Sequence, residues 1–586
     1  MKLGKIRLSS LPLFLVPFLA LAFVNPVAAA APIQNLTTHK VLHVSTVTPV
    51  VALTPSGYSP NTVGGVPFCP SGSLGTILCY PASFLKTAYG FPSNLNGAGS
   101  TIVIVDAFGS PTAQADLNTY DKTFGLPGAH VTILCGPSWT GAPWDHCPVN
   151  TLRDITTVGN TEAGTACGGP GGVAGWAEET TLDLSQAHSL APAAKIVLVV
   201  ANDCFDSSIY TAEQAVVNQA KYAGSIMSQS FGEPDDLVTC LAVNAQNVCT
   251  SRDPTLLNLP NQVFQTAQRN HWTVIASSGD DGANEDARVL GTYELTPSFP
   301  ATSNLVLAAG GTQGDAYGGQ FGPPPGTLFA SFPSENCLSN DANCQPFTCP
   351  ANTNCNTGLV VVNGGENGCT TSTRPGVPSS CKPVGYGGEG AWNEVNYLLE
   401  IGTSSGGGIS SLYARPDYQG ATPDQVTTQL EVTTPITGRT TPDVSFNSAI
   451  NGGVLAFLGF ITPSGAICTE YPCAGDWAVF GGTSASSPAW AAIVALLDQA
   501  HHGSVGFLNP AIYRLGQASL TSERLARSFH DITSGCNSDF GVYASYYAAD
   551  GFCSAPGYDL ATGWGTPNVS AFIQNVMQFL GPVRER

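Results

Sequence analysis

The sequence predicts an α/β fold, a mostly parallel central sheet with helices on both faces, and two observations carry that expectation. Residues 100–106 (Ser100-Thr101-Ile102-Val103-Ile104-Val105-Asp106), 194–201 and 272–277 are short apolar runs rich in β-branched side chains, the pattern of buried strands. Helical patterns around 110–124, 178–190 and 210–222 fall between them. Strands that alternate with helices are joined by crossovers, which sets the strands parallel and covers the sheet on both sides. At 586 residues the chain is long enough for one large domain of this kind.

Taken in order, the chain starts with an export signal. Lys2, Lys5 and Arg7 precede an apolar stretch from Leu11 to Val24, which ends in Asn25-Pro26-Val27-Ala28-Ala29-Ala30-Ala31. A basic end, a short apolar centre and a small-residue exit read as a signal peptide over 1–30, too short and too broken by proline to span a membrane. Residues 31–68, rich in Thr, Val and Pro, read as a short leader or remnant propeptide. The main domain is expected over 69–580, followed by a tail of 581–586. A secreted, extracellular protein is implied, and a monomer is expected.

All 18 cysteines lie beyond the signal, an even number that suits an oxidising compartment. Cys69/Cys79, Cys135/Cys147, Cys240/Cys249, Cys468/Cys473 and Cys536/Cys553 are neighbours in sequence and candidate pairs, although spacing alone fixes no connectivity. Zinc ligation by these cysteines is disfavoured, since there is no paired CxxC and histidines are few. From about 315 to 390 the periodic pattern gives way to Gly, Pro, Asn and Ser. Six cysteines fall from Cys337 to Cys381, which reads as a disulfide-stapled surface insertion at about 330–385.

Charged residues make up only 11% and the formal net charge is −20, so nucleic acid and anionic membranes are poor partners. In acid the carboxylates neutralise, and so few Lys and Arg leave little positive self-repulsion. This composition suits low pH.

Three segments carry chemistry. Gly482-Thr483-Ser484-Ala485-Ser486-Ser487-Pro488 runs into an apolar helix whose Trp490, Ile493, Val494 and Leu497 fall on one face, with Pro488 expected in the first helical turn. Ser484 then sits at a helix mouth, where free backbone donors favour a developing oxyanion. Glu178-Glu179-Thr180-Thr181-Leu182-Asp183 is expected to open a helix ended by Pro192. Glu179 and Asp183, four apart, share one face and can share a proton, while Glu178 points elsewhere. Ser277-Ser278-Gly279-Asp280-Asp281-Gly282 is an acidic turn just past a strand, at the sheet edge where α/β active sites lie. Each has a bland alternative: a capped core helix, a solvated acidic helix face and an ordinary Asp-Gly turn.

In this order the three segments resemble the sedolisin family, serine-carboxyl peptidases of subtilisin-like fold, from about Leu74 to Phe579. The resemblance implies Glu179 and Asp183 as catalytic carboxyls, Asp280 as oxyanion donor and Ser484 as nucleophile. Ala391-Trp392-Asn393, Gly406-Gly407-Gly408-Ile409-Ser410 and Pro442-Asp443-Val444-Ser445 share the family pattern. Subtilisin's own His-Gly-Thr-His segment is absent, and His188 reads as structural. The resemblance also implies one calcium ion, held by Asp531, Asp559 and the carbonyls of Ile532, Ala555 and Gly557, an oxygen set suited to that cation. Departures are a leader far shorter than the family's prodomain, and Asp106 and Phe231 where relatives carry a Glu and a Trp.

The reading is a secreted, acid-active, calcium-stabilised endopeptidase acting on proteins or peptides. A Glu base with an intrinsic pKa of about 4.3 still accepts a proton in acid, where an imidazole does not. The alternatives are a tripeptidyl-type exopeptidase of the same family and a catalytically silent binding protein on this scaffold.

Overall fold

The computed structural model describes residues 43–46, 50–54, 58, 60, 68–71, 75–136, 145–147, 154–244, 249–285, 295–314, 354–356, 359–363, 382–396, 401–420, 426, 435–537 and 551–581. The signal segment, most of the leader, most of the Cys-rich insertion and residues 582–586 lie outside the described residues.

Nine strands form the central sheet: β1 Thr101–Ala107, β2 Val131–Cys135, β3 Asp145–His146, β4 Lys195–Ala201, β5 Ile226–Gln229, β6 Thr273–Ser277, β7 Leu307–Gly314, β8 Glu389–Ala391 and β9 Val444–Asn447. Their order is β3-β2-β4-β1-β5-β6-β7, with β9 and β8 both paired to β7. The pairs from β2 to β7, and β7 with β9, are parallel; the short edge strands β3 and β8 run antiparallel. The three strands expected from sequence are β1, β4 and β6, each within a residue of its expected limits. All but the first residue of β1 and β4 are buried, as strands covered on both faces must be.

The helices that matter are α1 Ala113–Phe124, α2 Gly169–Leu190, α3 Asp206–Val217, α4 Asn258–Arg269 and α5 Thr483–His501. On one face α5 lies along β5, β6, β7 and β9 and packs against α2, which in turn meets α1 and β1. On the other, α3 and α4 pack together over β4 and β6. No helix among the described residues is long and apolar enough to cross a membrane.

Two helix expectations need correction. Helix α2 starts at Gly169, not at Glu178, so Glu179 lies in mid-helix. The Gly-Pro-Gly-Gly opening reads as a loop, yet Pro170 sits in the first turn, where no N–H partner is needed. Pro488 lies six residues into α5 rather than in its first turn. It therefore cannot donate to the Ser484 carbonyl four residues back.

Six disulfides join described residues. Five are the sequence-neighbour pairs, and the sixth, Cys167–Cys204, ties the start of α2 to the loop after β4. The Pro442-Asp443-Val444-Ser445 motif serves a buried ion pair. Asp443 takes both Arg439 terminal guanidinium nitrogens at 2.8 and 2.7 Å, the Tyr513 hydroxyl at 2.7 Å and the Ala308 N–H at 2.8 Å, so the wholly buried Arg439 has its charge paired.

The leader is not separate from the domain. Val44 and Thr46 bridge antiparallel to Phe205 and Gly232, and Val50–Leu53 pairs antiparallel with Ala478–Gly481. Gly232 lies two residues past Ser230 and Gly481 three before Ser484, so the leader is anchored on both sides of the Ser484 turn.

Candidate active site

The carboxyl ends of three adjacent strands meet under two helices. β1 delivers Asp106, β5 leads into Ser230, and β6 leads into the turn Ser278-Gly279-Asp280. From above, α2 lowers Glu178, Glu179 and Asp183, and α5 begins at Thr483-Ser484. Ser484 is 5% exposed, Asp280 8%, and Asp106, Glu179 and Asp183 are fully buried, so the Ser484 hydroxyl stands at the rim of a buried acidic cluster.

Burial governs the electrostatics. It pushes Asp106 up to about 7, a shift that the Thr180 hydroxyl offsets only in part. Glu179 and Asp183 are held well above the usual carboxylate range, by burial first and by the Asp106 charge second. Glu178 is likewise pushed up to about 7 by burial. Carboxyls this close in a low dielectric share protons rather than ionise together. The Ser484 hydroxyl acts on Glu179 as a hydrogen-bonding neighbour that favours its ionised form. The contact is loose, since neither Glu179 oxygen has a partner at ordinary hydrogen-bond geometry, as is common before substrate binds.

Asp280 is fixed from the Ser484 turn. Its Oδ1 accepts from the Thr483 N–H at 2.7 Å and the Thr483 hydroxyl at 2.8 Å. Oδ2 lies against Gly482, whose φ is +93° and where a Cβ would come within 2.6 Å of that oxygen. Glycine is required twice over, by its conformation and by the approach of Asp280. The Gly406 position has a similar basis: a Cβ there would lie 1.8 Å from the Ser278 carbonyl.

The four residues expected from sequence, Glu179, Asp183, Asp280 and Ser484, are thus brought together. Ser230 and Thr483 were not anticipated. The Ser230 hydroxyl donates to Asp183 Oδ1 at 2.8 Å and lies 3.4 Å from the Ser484 carbonyl, the one that Pro488 leaves without its helical donor. Glu178 does not point away into solvent but is 7% exposed, because α2 is buried all round from Val173 onward. Its sparse charge and apolar flanks were the available signal. Asp106 belongs to the cluster, while Phe231 packs on Trp176 at 6.0 Å between ring centroids and supplies no hydrogen bond. His188 Nε2 bonds the Pro127 carbonyl at 2.9 Å and lies 3.1 Å from Asp121 Oδ1, on a latch between α2 and α1.

The second expected site gathers at the Ala555–Asp559 turn. Asp531 accepts from the Gly557 N–H at 3.1 Å, and Asp559 from the Ala555, Ala561 and Thr562 N–H groups at 3.0, 2.9 and 2.8 Å. Asp559 is fully buried and pushed up to about 7 by that burial; Ile532 and Gly557 are buried beside it.

Comparison with known proteins gives a consistent set. The subtilase family's sequence model matches residues 153–515. Kumamolisin from Bacillus sp. (strain MN-32) is 26% identical over 480 residues, 82% of this chain and 60% of its own length. Human tripeptidyl-peptidase 1 is 28% identical over 219 residues, 35% of this chain and 33% of its own. Aorsin from Aspergillus oryzae is 34% identical over 176 residues, 28% and 23% of the two lengths. The chain thus spans less than two thirds of these relatives. Among solved structures, Pseudomonas sedolisin, a serine-carboxyl proteinase, aligns with a TM-score of 0.53 at 20% identity, over 86% of this chain and 99% of its own.

Proposed function

The chain belongs to the subtilase family and to its sedolisin branch, and on that premise we propose that it is a secreted, acid-active serine-carboxyl endopeptidase. The observation that carries the reading is the pairing of opposite demands around Ser484: a shared-proton cluster on one side and Asp280, pinned through Oδ1, on the other. Among the described residues, no imidazole is among the groups acting on Glu179 or Asp183.

In the proposed reaction Ser484 Oγ attacks the peptide carbonyl carbon and its proton passes to Glu179. Asp183, held by Ser230, and Asp106 keep the remaining shared proton and set the direction of Glu179. The Asp280 carboxyl donates a hydrogen bond from Oδ2 to the oxyanion, Oδ1 being engaged by Thr483. Glu179 returns the proton to the departing amine as the acyl-enzyme forms, and water then releases the acid by the same steps. Protein or peptide substrates follow from the chemistry. A tripeptidyl exopeptidase remains the second reading, supported by the name of one relative.

The roles differ in what they require of pH. The Glu179–Asp183 pair must have given up one of its shared protons while Asp280 keeps its own, so activity is expected to be bell-shaped in acid. Asp280→Asn, whose amide donates at any pH, should be slower but keep working closer to neutrality. Initial rates across pH check this; an upper limb at the parent's position would remove Asp280 from the oxyanion role.

We assign Asp531, Asp559 and the carbonyls of Ile532, Ala555 and Gly557 to one calcium ion. They fit it chemically: the buried Asp559 carboxyl and the more exposed Asp531 carboxyl are gathered by one turn, with hard oxygen donors only. Such an ion stabilises by holding the turn and takes no part in peptide cleavage. Chelation, or Asp531→Ala, is expected to lower unfolding stability by about 3 kcal/mol, as for loss of a ligand present at about 100 times its Kd. A melting temperature indifferent to chelator would dismiss this site.

A further inference from the structure

Away from the active site, three ligand-type side chains from three separate segments converge. His43 comes from the leader, Asp206 from the first position of α3, and Glu233 from the chain beyond β5. One potential ligand atom of each lies within 4.8 Å of the others, and His43 Nδ1 is 3.9 Å from Glu233 Oε2.

The backbone holds this arrangement in register. The Asp206 N–H donates to the His43 carbonyl at 3.2 Å, Ser45 N–H to the Cys204 carbonyl at 3.0 Å, and Thr46 and Gly232 exchange bonds of 2.9 and 3.1 Å. Ser45 Oγ donates to Asp206 Oδ1 at 2.9 Å, and the Cys167–Cys204 disulfide braces the loop. Geometry this fixed is what a preformed metal site needs.

Two independent observations say that something belongs there. Glu233 is 5% exposed, yet its Oε1 has no hydrogen-bond partner. The Tyr210 hydroxyl, also buried, has none either, and the charges that act on it are led by Asp206, with Glu213 and Glu233 next. Asp235 and Asp236 add negative charge around Glu233. Buried orphan oxygens in a region of like charge are costly unless a cation or a proton satisfies them.

We propose that His43, Asp206 and Glu233 form a divalent-cation site of the zinc class, stapling the leader to the ends of β4 and β5. One imidazole and two carboxylates are a borderline N/O set, suited to zinc or its transition-metal neighbours rather than calcium. Bonds of about 2.1 Å place tetrahedral ligand atoms about 3.4 Å apart, so side-chain rotations must draw atoms now within 4.8 Å of one another closer by up to about 1.4 Å to close the site. Water takes the fourth position. The site is independent of the peptidase chemistry and distinct from the calcium residues.

The test uses the full chain carrying Ser484→Ala, which keeps the leader attached should the protein process itself. With calcium in excess and at about pH 7.5, above the ordinary range of free imidazole and carboxyl groups, zinc is titrated by calorimetry and bound metal counted by mass spectrometry. One equivalent is expected, with a rise in melting temperature. His43→Ala and, separately, Glu233→Gln should each weaken binding by at least the 10–100-fold typical of lost outer-shell partners. Both variants should melt like the zinc-free parent, showing that the fold is intact. No zinc bound by the parent, meaning that Asp206 and Glu233 only share a proton, or full binding in His43→Ala, overturns the assignment.

Discussion

Ser484→Ala is expected to abolish peptide hydrolysis while leaving the protein folded. The hydroxyl acts on Glu179 as a hydrogen-bonding neighbour, and it stands on the first turn of α5 with 5% exposure. Loss of the nucleophile from a serine peptidase of this fold lowers kcat by about 10⁶-fold, the residue being what binding and oxyanion stabilisation achieve alone. The cost to stability is small. Thr483, not Ser484, holds Asp280, and the Ser484 carbonyl that faces Ser230 is retained by alanine. The variant should therefore match the parent in melting temperature, and its kcat under acid conditions gives the catalytic effect.

The protein is also expected to be more stable at about pH 4 than at pH 7, the reverse of ordinary acid lability. In the unfolded chain these carboxyls titrate near 4. In the folded chain Asp106 and Glu178 bind protons up to about 7, and Glu179 and Asp183 are raised as well, all chiefly through burial. Between those limits the folded state carries more protons than the unfolded, so stability is lost as pH rises. A shift of this size on one buried carboxyl amounts to about 3 kcal/mol between pH 4 and 7. Denaturant midpoints measured across that range, with calcium saturating, should fall toward neutrality. Asp106→Asn should flatten the slope. A midpoint that rises from pH 4 to 7 would mean that the cluster is ionised in the folded state.

What the sequence made legible follows from how local each signal is. β1, β4 and β6 were visible because strands buried on both faces are nearly continuous apolar runs. Ser484 and Asp280 stand out because each sits in a turn between strand and helix or just past a strand, whereas Glu179, in mid-helix, stands out only by its four-residue spacing from Asp183. The five disulfides with sequence separations of 5 to 17 were visible as neighbours, whereas Cys167–Cys204, 37 apart, was not. Ser230 was missed because its importance depends on α2 bringing Asp183 over the end of β5, a contact across 47 residues. Pro488 looked like a helix starter, although its place six residues in is what frees the Ser484 carbonyl. Nothing in the Thr- and Val-rich composition of residues 31–68 predicts pairing with Gly232 and Gly481. Long-range pairing of short segments is the least legible part of any chain.

The central claim, a serine nucleophile served by carboxyls, is tested most directly by one comparison. The parent and Ser484→Ala, purified side by side, are incubated with a denatured protein at about pH 4, near the intrinsic carboxylate range, and new chain ends are identified by mass spectrometry. Internal cuts by the parent and none by the variant are expected at equal folded concentration. New ends appearing at the parent's rate with Ser484→Ala would contradict it.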